Sequence, residues 1–274
     1  MPYSLPYYRD ASQLPGPLPD QNEIEQATHT LPRKSEFHAR LVVIRDKYVV
    51  KYGSHVTENE GYALLFVDER LDIAAPRLHA MYRDQDALYI VMEYIPGVSL
   101  GTAWPSPTER CHRPGFYGGV NRGPVPHRYF YSREDNPAVT GPFRTAEEFA
   151  RAITLRLKEM WSQSNHHSFL SDYLGRNLPS ALCNYPPMFT HGDLYRENVL
   201  VRKVVDSDGN EEVYEVAALV DWETAGRYPS YWEYAHIFPL LQWVDDWPEY
   251  VEKVLHPLPL EGAMMRLVFN DLEF

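Results

Sequence analysis

The sequence predicts an α+β chain of two lobes, a small β-rich lobe followed by a larger, mainly helical one that carries an inserted hairpin. Three observations carry this reading. The 274 residues exceed one ordinary domain and accommodate two lobes with sizeable cores. Residues 36–95 run in the order strand pair, helix, strand pair, which folds as one compact lobe. From Thr145 onward apolar residues recur at helical spacing, interrupted by one strand–turn–strand passage. The chain therefore divides into an N-terminal arm with a short helix (1–35), the β-rich lobe (36–95) and the helical lobe (96–274).

Each element has a local cause. Residues 1–19 hold five prolines among tyrosines and polar residues and read as an irregular arm. Asp20 and Glu23 have the spacing of a capping box, which opens a short helix over QNEIEQATHTL. FHARLVVIR and KYVVKYG are β-rich runs separated by Asp46-Lys47, as in a hairpin. ENEGYALLFVDER reads as a helix with Ala63, Phe66 and Val67 on one face and Pro76 as its stop. RLHAMYR and ALYIVMEYI form the second strand pair. Residues 96–144 hold eight prolines and seven glycines without helical periodicity. Thr145 and Glu148 then cap a helix with Phe149, Ile153, Leu157 and Met160 on one face. DSDGN at 206–210 is the turn of a hairpin whose returning strand is EEVYEVAALVDW. The remainder is apolar-periodic, with Pro239 kinking the first helix.

Composition excludes several function classes. Hydrophobic residues at 44% and charged residues at 23% argue for a folded globular chain rather than a disordered or fibrous one. A net charge of −12 disfavours nucleic acid and anionic membranes as partners and suits cationic or metal-chelated ligands. Cys111 and Cys183 lie far apart without CxxC spacing, so they read as two reduced thiols. No leader-like N-terminus and no run of spanning length is present, which makes the cytoplasm the expected location. His166-His167 lacks a third ligand at matching spacing and reads as surface.

The chemistry concentrates around the hairpin. THGDLYRENVLV places Asp193 five residues before Asn198, on a loop running into a strand, and ALVDWETAG places Asp221 at the end of the antiparallel partner. In that arrangement Asn198 and Asp221 face each other as two hard oxygen ligands of the kind Mg²⁺ takes, with positions left for phosphate oxygens. Asp193, just beyond, is a carboxylate able to accept a hydroxyl proton and orient that oxygen towards a γ-phosphate.

HGDLYREN followed by DWE resembles the aminoglycoside phosphotransferase-like kinases, which share the protein-kinase fold; HGD stands where protein kinases have HRD, and DWE where they have DFG. The similarity runs along most of the chain. It is closest to the fungal branch, through LP-x-PLP-x-x-x-EIE, YVVKYG, VMEYIPG, AWPS, GPF-x-x-x-x-EF and DWE-x-AG-x-YP-x-YWEY. The resemblance implies ATP and Mg²⁺ as cofactors and a small-molecule hydroxyl as acceptor. It implies that Lys51 meets the α/β-phosphates, that Glu60 is its ion-pair partner, and that the Glu93 carbonyl and Ile95 amide hold the adenine edge. Asp193 becomes the catalytic aspartate, and Asn198 and Asp221 the Mg²⁺ ligands. His191 supports the loop, Glu58 is the alternative to Glu60, and Glu223 has no assigned role.

Two departures from the family pattern stand out. Between AWPS and the glycine-rich segment the family places a long amphipathic helix, and here roughly two dozen residues are absent; a stretch this long without a helix is unusual in a compact domain. Loss of that helix uncovers apolar surface of the helical lobe. An impaired pseudokinase or binding module is therefore the alternative function. In addition EFHARLVVIRD lacks GxGxxG, and no A-P-E element follows, which argues against a polypeptide acceptor.

Overall fold

The computed structural model describes residues 4–31, 39–99, 115–163, 167–205, 212–241, 244 and 246–272. The AWPS motif, Cys111, His166, the turn at 206–210 and the start of the EFHARLV run lie outside the described residues. In chain order the elements are β1 (Tyr7–Tyr8), α1 (Gln21–Gln26), β2 (Arg40–Ile44), β3 (Tyr48–Gly53), α2 (Asn59–Arg70), β4 (Leu78–Asp84), β5 (Ala87–Glu93) and β6 (Val98–Ser99). There follow β7 (Gly118–Gly119), α3 (Pro137–Thr140), α4 (Ala146–Gln163), α5 (Phe169–Ala181), β8 (Pro187–Thr190), β9 (Val199–Val205) and β10 (Glu212–Leu219). The chain closes with β11 (Gly226–Pro229), α6 (Trp232–Ile237), α7 (Trp247–Val254) and α8 (Pro259–Leu272). These form two compact units, one of residues 1–105 with 196–223, the other of 106–195 with 224–274. Compactness thus groups the hairpin β9–β10 with the N-terminal strands.

The first unit holds an antiparallel sheet ordered β1-β4-β5-β3-β2 and a second sheet ordered β10-β9-β6. The β2–β3 hairpin turns at Arg45 and Asp46, both at positive φ (56° and 50°), the left-handed pair that matches strand twist. Period-2 alternation sends Tyr48, Val50, Tyr89 and Val91 to one face of the sheet, where they pack with Ile24 of α1. The α1 capping box is formed, with Glu23 N donating to Asp20 and Asp20 N donating to Glu23. Helix α2 differs from the expected one-faced pattern: Tyr62, Ala63, Leu64, Leu65 and Val67 are all buried, so apolar residues surround it rather than forming one stripe. It also ends at Arg70, six residues before Pro76, where Leu71 turns to extended backbone.

The second unit is helical around a small sheet ordered β7-β11-β8. Phe149, Ile153 and Leu157 of α4 are fully buried with Leu174 and Leu178 of α5, Trp232 of α6, and Met265 and Val268 of α8. Each such side chain contributes about 1.5–3 kcal/mol of burial. The α4 start uses the expected pair: Glu148 N donates to Thr145 Oγ1 at 3.1 Å, while the Glu148 carboxylate accepts from Arg144 N at 2.8 Å. Pro239 acts by ending α6 at Ile237 in a tight 3₁₀ turn, Phe238–Leu240. Between 115 and 144 the described residues include no helix longer than the four residues of α3. Phe169 (81% exposed) on α5 and Leu260 (77%) on α8 are left to solvent. Among the described residues no helix is long and apolar enough to cross a membrane.

Candidate active site

One group of candidate residues lies within the first unit, around β3, an interior strand of the five-stranded sheet. Strand β3 is flanked by β2 and β5, so its middle is covered, and Lys51 alternates to the face opposite Val50 and is only 7% exposed. A buried ammonium needs partners for three N–H groups. Lys51 Nζ has three carboxylates: Glu60 Oε2 at 2.7 Å, Glu223 Oε2 at 2.9 Å and Asp221 Oδ1 at 3.1 Å. Burial pulls the lysine pKa down, but the three carboxylates outweigh it and hold Lys51 well above its usual range. Burial pushes Glu60 up to about 7, against the pull of Lys51 and with the help of Asp221 and Glu223. Glu58, the alternative partner, pairs with Arg83 at 3.0 Å and accepts from the Tyr62 hydroxyl at 2.8 Å. Two residues along a helix is more than half a turn, so only one of the two glutamates can face Lys51.

The hairpin supplies the acids. Val220 N donates to the Asn198 carbonyl at 2.9 Å, which fixes the end of β10 beside the start of β9 and keeps Asn198 (4% exposed) next to the Asp221 segment. Asp221 adopts φ 65°, a left-handed conformation that costs energy for any residue with a Cβ and is least costly for Asp and Asn. Trp222 Nε1 donates to Leu219 O at 2.8 Å, closing the turn that holds it. Asn59 Nδ2 donates to Glu223 O at 2.9 Å, anchoring the third residue of DWE to α2. Oxygens of Glu60, Asp221 and Glu223 lie within 4.8 Å of one another. One ammonium among three carboxylates leaves an excess of negative charge, and all-oxygen donors at that spacing fit a hard divalent cation such as Mg²⁺. Glu223 is thereby part of the cluster, a position for which the sequence offers only its nearness to Asp221 as a signal.

At the end of β5, Glu93 N donates to Arg77 O at 2.9 Å and the Glu93 carboxylate accepts from Arg77 N at 3.2 Å. Tyr94 N donates to Lys47 O at 2.9 Å, so the strand stays tied to the β2–β3 turn up to the residue before half-buried Ile95.

A separate group of candidate residues lies within the second unit, on the loop after β8. Gly192 has φ 84°, and a Cβ there would meet Thr224 O at 2.7 Å, so only glycine fits. Asp193 N donates to His191 Nδ1 at 3.3 Å and Tyr195 N donates to Asp193 O at 2.8 Å, while Thr224 Oγ1 donates to His191 O at 3.1 Å. His191 is buried and spends its ring on the loop, the supporting place expected of it. The anchor the sequence reading missed is Glu233. From the first turn of α6 its carboxylate accepts from Gly192 N at 3.2 Å and from the backbones of His191 and Leu194. Burial pushes Glu233 up to about 7; the three backbone bonds oppose this, and nearby Asp193 adds to it. The detectable signal was one acid inside the otherwise apolar and aromatic run YWEYAHIF.

The first unit thus buries a lysine–glutamate pair beside the carboxylates of its hairpin, and the second unit carries an aspartate on a glycine-bent loop. Residues 30–258 match the family model of the phosphotransferase enzyme family, and the chain belongs to that family. Among solved structures it is similar to an aminoglycoside phosphotransferase from Streptomyces rimosus in complex with ADP and streptomycin, at 18% identity and a TM-score of 0.43 over 89% of this chain and 92% of that one. It is also similar to an aminoglycoside-3'-phosphotransferase of type VIII, at 14% identity and a TM-score of 0.43 over 89% and 93% of the two chains. No curated protein matches.

Proposed function

We propose that this phosphotransferase-family chain moves the γ-phosphoryl group of ATP, with Mg²⁺, to a hydroxyl of a small molecule. The observation that carries the reading is the Lys51–Glu60 ion pair, 2.7 Å long and buried beside Asp221. Lys51, steadied by Glu60, is the cation for the α/β-phosphates, and the Glu93 carbonyl and Ile95 amide serve the adenine edge. Asp221 and Asn198, with Glu223 in the same acidic cluster, would hold the Mg²⁺, which supplies charge neutralisation at the phosphates. Asp193 accepts the hydroxyl proton and orients that oxygen in line; the new O–P bond forms as the bond to the β-phosphate oxygen breaks and ADP leaves. Retention of Lys51, Asp193, Asn198 and Asp221 together favours turnover over a pure binding module.

The test addresses the acceptor role and the nucleotide role separately. Asp193→Ala is expected to abolish phosphoryl transfer and leave calorimetric affinity for an ATP analogue within about twofold, since the residue acts on the acceptor side. Asp221→Ala is expected to remove the Mg²⁺ dependence of nucleotide binding. Parent-like transfer by Asp193→Ala, or unchanged titration curves for Asp221→Ala, would refute the respective assignments.

A further inference from the structure

The segment LPGPLPDQNEIE, residues 14–25, takes no part in the chemistry proposed above. Pro15, Pro17 and Pro19 leave PGPLP with a carbonyl at every residue but an amide only at Gly16 and Leu18. A chain so short of donors cannot join a sheet by a regular ladder, so hydrogen bonds are brought to it by side chains. The β2–β3 turn and its exit bring three. Lys47 Nζ donates to Pro15 O at 2.9 Å, the Tyr48 hydroxyl to Gly16 O at 2.5 Å and Arg45 Nη1 to Pro17 O at 2.8 Å, so three consecutive carbonyls are taken. Arg45 also pairs with Glu23, the acid that completes the α1 capping box. Beyond α1 the chain runs beside β2, with Val43 N donating to His29 O at 2.9 Å and Leu31 N donating to Leu41 O at 3.2 Å.

The turn passes this hold on through its main chain. Lys47 O accepts from Tyr94 N at 2.9 Å, next to the strand pairing Tyr48↔Glu93. The Tyr94 N–H and the Glu93 carbonyl belong to one trans peptide unit, planar and stiff, in which the two bonds point in opposite directions. A Tyr94 amide fixed on Lys47 O therefore aims the Glu93 carbonyl away from the turn. That carbonyl cannot swing unless the Tyr94 bond breaks or Lys47 moves with it. The His29 ring stands edge-on to the Tyr94 ring at 6.4 Å, a second contact between the wrapped segment and the same residue. All of these groups belong to the first unit.

We propose that Lys47 is a positioning residue: it passes the hold of residues 15–31 on the β2–β3 turn to the Glu93–Tyr94 peptide, and so keeps the Glu93 carbonyl aimed at the base of the nucleotide. This rests on the phosphotransferase reading, in which Glu93 and Ile95 meet the adenine edge, and names what keeps them in place. A hydrogen bond to one exocyclic amine has a direction to keep, so a slack turn weakens binding of the base. The phosphate end is held otherwise, because the carboxylates on Lys51 come from α2 and from residues 221–223.

The test uses the full chain with Mg²⁺ and two probes: a non-hydrolysable ATP analogue, which carries the base, and tripolyphosphate, which lacks it. Arg45→Met combined with Lys47→Met removes the donors to Pro15 and Pro17 at two exposed positions and keeps the aliphatic stems. Arg45→Lys combined with Lys47→Arg is the conservative counterpart. In calorimetric titration the methionine pair is expected to weaken the analogue about tenfold and leave tripolyphosphate unchanged, with the conservative pair close to the parent. Amide exchange followed by NMR is expected to quicken at Tyr94 and not at Glu93, whose amide donates to Arg77 O. Equal quickening at both amides, with both probes weakened together, would make the segment a general support and overturn the positioning role. An unmoved Tyr94 amide, or an unmoved analogue affinity beside unchanged tripolyphosphate binding, overturns it as well. A parent chain that binds neither probe, with Tyr94 alone quickened in the methionine pair, supports the hold on the Glu93–Tyr94 peptide and counts against the phosphotransferase reading.

Discussion

At the scale of single residues, the first unit buries a histidine that the sequence left unnoticed. His79 is 3% exposed, edge-on to the Tyr48 ring at 5.4 Å, and burial with help from Arg9 and Arg77 pulls it down to about 4. In the second unit, His127 Nδ1 accepts from Tyr129 N, so the proton sits on Nε2, which donates to His236 Nε2 at 2.9 Å. Burial, His236 and Arg128 hold His127 well below the usual histidine range. Both histidines bind fewer protons when folded, so the stability tied to them is present above the unfolded pKa of 6.5 and is lost as pH falls towards their folded values. Glu60 and Glu233, raised to about 7, act oppositely: the native state keeps their protons longer, and their share of stability declines as pH rises from 4.5 to 7. His79→Leu is expected to flatten the acid limb between pH 6.5 and 4 in chemical denaturation. Curves for variant and parent that run parallel would remove His79 from this account.

At the scale of elements, legibility followed locality. The Asp20–Glu23 and Thr145–Glu148 caps and the β2–β3 turn are decided by neighbours within four residues, and the sequence announces them, whereas Pro239 lies in a turn that ends the helix it was expected to kink. The sheet β7-β11-β8 was not legible, because its strands are two to four residues long and pair Gly118-Gly119 with residues more than a hundred positions away. No periodicity develops over two residues. Lys51, Asp193 and Asp221 stand out in the sequence as motif positions, with Glu60 the preferred partner of Lys51 over Glu58, whereas Glu233 needed the loop it holds. Glu233→Gln is expected to keep nucleotide affinity and lower kcat at least tenfold, since the amide has one acceptor oxygen where the carboxylate has two. Charge-assisted bonds of this kind contribute about 1.5–3 kcal/mol each, so the melting temperature is expected to drop as well. A lower melting temperature with unaltered kcat would reduce Glu233 to a purely structural anchor.

For the whole molecule, charge and binding are linked. With −12 overall and three carboxylates around one lysine, the chain is expected to repel free ATP more than MgATP. An ATP analogue at about a hundred times its dissociation constant stabilises by about 2.7 kcal/mol, and this gain is expected with Mg²⁺ and to shrink on chelation. An equal thermal shift with and without the metal would contradict the proposed division of labour between Lys51 and the acids. The same net charge, read from the sequence alone, also suggested a cationic acceptor. A global sum carries no local arrangement: Arg122 and Arg227 meet on Phe116 only through a turn and a strand pairing that no window of sequence displays.

The grip of Glu233 on the loop 191–194 runs through main-chain amides alone. Such a grip is blind to side-chain identity, apart from the glycine that the bend demands. A changed side chain at Leu194 therefore leaves the Glu233 hold on its backbone intact.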